Sequence, residues 1–121
     1  MPAMLTPPDF LTTTETVLPS EYRVMERFGV VRGIAVRSRS VVGTFGAKIQ
    51  QFFGGDISLL QELCEGTRSQ AFAVAVDHAR ALGANALIGV HYDATEIMPG
   101  VSEVLVYGTA MRVVRAKDQA A

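Results

Sequence analysis

Between Ser58 and Tyr92 the chain passes from a long helical pattern, through a single glycine, into an apolar strand. Apolar residues recur at helical spacing from Leu60 to Leu82. Gly83 ends the pattern, and Ala84-Asn85-Ala86-Leu87-Ile88-Gly89-Val90-His91-Tyr92 follows at once as a strand. A helix–glycine–strand unit of this kind constrains the architecture more than any other stretch. It does not fix the chemistry. A chain of 121 residues has room for one domain with a modest core.

The remaining elements fall on either side of this unit. Residues 1–10 hold three of the five prolines and read as a flexible arm, and 116–121 read as a flexible tail, leaving 11–115 as the domain. Leu11 to Val17, rich in β-branched residues, predicts a first strand, and Leu18-Pro19-Ser20-Glu21 a turn. Tyr22 to Arg37 predicts a long strand, with Gly29 and Gly33 as sites of a bulge or bend. Ser40 then caps a short helix carrying Val41, Val42, Phe45, Ile49, Phe52 and Phe53, stopped by Gly54-Gly55. Ser58 caps the long helix. The last two strands run from about Asn85 to Asp93 and from Val101 to Val114, joined around Met98-Pro99-Gly100.

Two of these elements carry too much apolar surface for so short a chain. On a helical wheel Leu60, Leu63, Cys64, Thr67, Ala71, Val74, Ala75, His78, Ala81 and Leu82 share one broad face. Phe72, Val76 and Ala79 form a second patch on a flank otherwise facing water. In the last strand Val101, Leu105, Tyr107, Met111 and Val113 point one way, and Val104, Val106, Ala110 and Val114 the other. A strand with one wet face alternates apolar and polar residues. This one does not, and the chain's own helices can cover one face only. Copies of the chain are the simplest second cover, which predicts a homo-oligomer with Phe72, Val76, Ala79, Val104 and Val106 at its interfaces. A helix simply buried on two sides is the plainer alternative for the flank.

Charge and composition exclude several partners. The net charge is −1 and the arginines and lysines are scattered, so there is no basic stripe for nucleic acid. No run approaches the roughly 20 apolar residues of a membrane span, and the first ten residues lack a signal-peptide pattern. Cys64 is the only cysteine, which rules out an intramolecular disulfide and suits a reducing compartment, so a cytoplasmic protein is expected.

With its elements in order, the chain is similar to the YbjQ-like family of small bacterial proteins. The matching residues are Thr12-Thr13-Thr14, Phe28-Gly29-Val30-Val31-Arg32-Gly33, Phe53-Gly54-Gly55, Arg68, Ala71-Phe72, Ala79 to Val90, and Gly108-Thr109-Ala110. They span about residues 12 to 113, and Ala81 to Val90 is the most specific segment. The resemblance implies an α+β fold like the dodecin subunit: two layers, an antiparallel sheet, one long and one short helix, in the order ββααββ. It also implies a ring-shaped homopentamer, and the family carries a label of heavy-metal binding. Asp56, Leu60, Asn85 and His91 stand where the family often has other side chains, an acid at the positions of Asn85 and His91.

Candidate chemistry is sparse. Soft-metal sites need several converging thiolates and imidazoles, and this chain has one cysteine and two histidines. Cys64 and His78 share a helix face but sit roughly 20 Å apart at about 1.5 Å rise per residue, too far for one ion. His91 and Asp93 lie on one side of a strand and could supply two metal ligands, with more from Glu96, Glu103 or another copy; an ordinary solvated strand end is the alternative. His78 reads as a hydrogen-bonded core or interface residue, or as a pH-sensitive interface group. Cys64 reads as a small buried apolar residue. No nucleophile elbow, Walker loop or dinucleotide fingerprint is present, no aromatic pair is placed to sandwich a flavin, and Asp56 would repel a phosphate at Gly54-Gly55. These observations point to a non-enzymatic oligomer binding a small ligand or metal ion at subunit junctions. The alternatives are a small enzyme using His91, Asp93 and Glu103 across subunits, and an adaptor that docks another protein through Phe72.

Overall fold

A computed structural model describes residues 10–37 and 57–116. Four strands and one helix lie in this range: β1 (Leu11–Thr12), β2 (Tyr22–Arg37), α1 (Ile57–Ala81), β3 (Ala86–Met98) and β4 (Val101–Arg115). The fold is α+β, with α1 laid on one face of a four-stranded sheet of order β1-β3-β4-β2. The short helix expected over 41–53 falls outside the described residues.

The sheet is mixed rather than wholly antiparallel. β2 pairs with β4, and β3 with β4, in antiparallel fashion, but β1 runs parallel to β3 through Leu11↔Ala86 and Thr12↔Leu87. β1 is also shorter than the predicted Leu11–Val17. The Thr13 hydroxyl accepts from the Glu15 amide and turns the chain. A bulge on β3 then meets this turn: the Gly89 amide donates to Glu15 O at 2.7 Å and the Val90 amide to Thr13 O at 3.0 Å. β2 has the predicted limits, with register shifts on either side of Arg27 and a positive φ at Gly29. β3 runs five residues past the expected end at Asp93, because the hairpin to β4 keeps pairing out to Met98↔Val101.

α1 begins at Ile57, so Ser58 lies inside the helix and is not its cap. Its other end follows the prediction. The Gly83 amide bonds to Arg80 O at 2.9 Å and the Ala84 amide to Ala79 O at 3.0 Å, the paired bonds of a Schellman stop. Gly83 supplies the left-handed residue (φ +98°) that such a stop requires.

The helix meets the sheet along a narrow seam of alanines. Ala71, Ala75 and Ala79 are fully buried, four residues apart, against Val31, Ala35, Val104, Val106 and Ala110. Gly33 sits under the seam: a Cβ there would stand 2.3 Å from both Ala71 O and Ala75 N. Helix and strand backbones therefore touch, which only small residues on both sides permit. Ala79, Val104 and Val106, expected at the surface of an assembly, are covered by the chain itself. The predicted helix face was rotated: its centre is Ala71-Ala75-Ala79, with half-buried Phe72 and Val76 on one flank and Val74 on the other.

A second cluster lies on the opposite face of the sheet, where Leu11, Tyr22, Ala86, Ile88, Met111 and Val113 pack with Leu18 and Val24. The segment after β1 closes this end of the face. Asn85 joins it to the ladder: its amide nitrogen donates to Val113 O at 2.9 Å and its amide oxygen accepts from the Val113 amide at 2.8 Å. Both ends of the carboxamide are used. An ionised carboxylate could not donate, so an acid at this position would need a different partner.

Candidate functional site

Strand register divides the sheet into two faces, because directly opposed residues share a side. Val31, Gly33 and Ala35 of β2 and Val104, Val106, Gly108 and Ala110 of β4 lie beneath α1. On the other side, three cross-strand rows extend beyond the closed cluster: Arg32–Tyr107–His91, Ile34–Leu105–Asp93 and Val36–Glu103–Thr95. This open half of the sheet is the candidate site.

It combines apolar surface with a polar rim. Val30 is 71% exposed, Ile34 44% and Val36 56%, all on β2. Leu105 and Tyr107 beside them are half-buried. β2 is also an outer strand of the sheet and is 16 residues long. A long edge strand with bare apolar side chains is the kind of surface that proteins cover.

His91 and Asp93 share this face, as the alternation of the strand predicts. The His91 ring stacks on Tyr107, with centroids 5.6 Å apart and planes 16° from parallel. Its Nδ1 is 2.7 Å from Gly89 O. A carbonyl only accepts, so Nδ1 donates this bond, and in the neutral ring Nε2 is the nitrogen with an open lone pair. Stacking and hydrogen bond together fix the ring. No group of three His, Cys, Asp or Glu side chains able to hold a metal gathers among the described residues, so His91 and Asp93 find no third such side chain there.

Two further candidates differ from expectation. Cys64 is exposed, not buried. The alanine seam that holds the helix to the sheet starts at Ala71, two turns beyond Cys64. His78 is exposed as well, though hydrogen-bonded as expected: its Nδ1 lies 2.7 Å from Arg32 O, tying α1 to the outer strand.

Arg37, at the end of β2, was not singled out from the sequence. It donates from Nη2 to Leu63 O at 2.9 Å and from Nε to the Thr67 hydroxyl at 3.2 Å. Thr67 itself donates to Leu63 O at 3.0 Å. This clamp holds the first half of α1 where the alanine seam does not reach. No local signal links residues 30 positions apart. The open β2 face was not singled out either, although the sequence carries its signal: Val30, Ile34 and Val36 alternate with Val31, Gly33 and Ala35, and both sides are apolar.

Comparison with known proteins shows the family by sequence. A family model described as "Putative heavy-metal-binding", YbjQ_1, matches residues 10–114. A UPF0145 protein of Solibacter usitatus (strain Ellin6076) is 58% identical over 112 residues, covering 93% of this chain and 98% of its own length. A UPF0145 protein of Burkholderia mallei (strain SAVP1) is 57% identical over 106 residues, covering 88% and 95%. A crystal structure from Pediococcus pentosaceus ATCC 25745, a protein of unknown function in the DUF74 family, covers 88% of this chain and 97% of its own at 15% identity and a TM-score of 0.37. The chain belongs to the YbjQ-like family of UPF0145 proteins.

Proposed function

We propose that the protein is a non-enzymatic homo-oligomer whose copies meet on the open sheet face and hold a small ligand or metal ion at their junctions. The bare apolar surface of Val30, Ile34 and Val36 on an outer strand carries this reading. Each such side chain gains about 1.5–3 kcal/mol when fully buried, so several together favour association. A closed ring supplies every copy with the same neighbour, and a five-membered ring is the form the family resemblance implies.

His91 and Asp93 lie beside this surface, within reach of a junction. One copy offers two ligands, and symmetry would bring the same pair from its neighbour or gather one residue from every copy around an axis. The printed description of the family model, heavy-metal binding, fits an imidazole with a free Nε2 next to a carboxylate. An exposed lone thiol fits a reducing cytoplasm.

Two measurements test the reading. An Ile34→Asp variant should sediment as a smaller species than the wild type while keeping its circular dichroism; an unchanged assembly contradicts the assigned face. Zinc titration of the assembled protein should give binding that His91→Ala weakens tenfold or more, and equal affinity in both proteins contradicts the assigned ligand.

A further inference from the structure

The buried seam between α1 and the sheet starts at Ala71, and over 61–70 only Leu63 and Thr67 are half-buried. A cleft of about 180 Å³ opens there, lined by Arg37, Cys64, Thr67, Arg68, Ala94, Ser102, Glu103 and Val104. Register explains the lining: Arg37↔Ser102 and Ala94↔Val104 are opposed pairs on the side of the sheet that faces α1. Glu103, between Ser102 and Val104, projects by alternation to the other side, so its carboxylate is not directed at the cleft floor.

Two arginines, Arg37 and Arg68, therefore line one hollow. Arg37 is half-buried, and two of its nitrogens are spent on the neutral acceptors Leu63 O and Thr67 Oγ1. Its Nη1 donors are uncommitted among the described residues, and no carboxylate there pairs with Arg37 or Arg68. A half-buried cation without a counter-charge is costly, and an anion in the cleft would offset that cost. Glu62 and Glu65, nearby on α1, form no ion pair with either arginine.

We propose that this cleft binds a small tetrahedral oxyanion of the phosphate class, held by Arg37 and Arg68 with the Ser102 hydroxyl beside them. Planar guanidinium donors match the paired oxygens of such an anion. The cleft belongs to one chain, so the proposal does not depend on how copies associate. Cys64, the only cysteine, borders the cleft and reports on its occupancy.

Equilibrium dialysis of the full chain against inorganic phosphate, at ionic strength held constant with sodium chloride, measures binding directly. Saturable binding is expected, together with at least threefold slower alkylation of Cys64 by iodoacetamide in phosphate than in chloride. Arg68→Gln is the clean variant, because Arg68 is exposed and makes no hydrogen bond or ion pair among the described residues, whereas Arg37 clamps the helix. Losing a charge-assisted contact should weaken phosphate about tenfold or more. Absence of saturable binding overturns the proposal, as does equal affinity in Arg68→Gln. Binding that leaves the alkylation rate unchanged puts the anion elsewhere and overturns it too.

Discussion

At Gly33 a missing methyl group decides whether the two layers can meet. A Cβ there would overlap backbone atoms of Ala71 and Ala75, and backbone cannot swing aside as a side chain can. Gly33→Ala should cost about 3 kcal/mol or more, the upper end of overpacking penalties, read as a lower urea midpoint with an unchanged slope. Asn85 sets a second fixed point through its two-way exchange with the Val113 backbone. Asn85→Asp removes the donor and faces a carboxylate with a carbonyl, which should cost about 1–3 kcal/mol in urea unfolding at neutral pH. Sequence marked both residues, Gly33 as a bend and Asn85 as a departure from the family. Their actual roles, a close approach and a cross-strand clasp, depend on partners 38 and 28 or more positions away and could not be seen locally.

Elements were the most legible level. β2 was bounded at Tyr22 and Arg37 from its composition, and the stop of α1 at Gly83 from the helix–glycine–strand pattern. Burial on the helix was misread because the wheel weighed hydrophobicity, whereas contact with a glycine-bearing strand selects for smallness. Ala71, Ala75 and Ala79 won the buried stripe over Leu82, which is exposed. His78 followed Leu82 to the surface for the same reason, while Cys64 lies two turns before the seam begins. The parallel β1–β3 pair escaped prediction because a two-residue strand has no pattern of its own. The two halves of α1 should also differ in stability, one on the seam and one on the Arg37 clamp. Arg37→Ala should raise amide hydrogen exchange across residues 63–70 and leave 71–81 near wild type. Uniform protection loss along the helix would show that the clamp and the seam act as one unit.

For the whole molecule, the expected excess of apolar surface is present, but in a different place. β4 is covered on the helix side by α1 and at one end of the other side by the Leu11–Tyr22 cluster. Among the described residues a bare apolar face lies on the outer strand β2, at Val30, Ile34 and Val36, with Ile97 and Met98 of β3 also exposed. The rim residues His91 and Asp93 were legible from strand alternation, while the lack of a third such side chain among the described residues only became visible once β3 and β4 were paired. Among the described residues no helix is long and apolar enough to cross a membrane. The proposed function stands on association between copies. Native mass spectrometry of the full chain at micromolar concentration tests this most directly. A single closed oligomer, pentameric if the family form holds, is the predicted spectrum, with Ile34→Asp shifted to monomer; a wild-type spectrum containing only the 13.0 kDa monomer would contradict it.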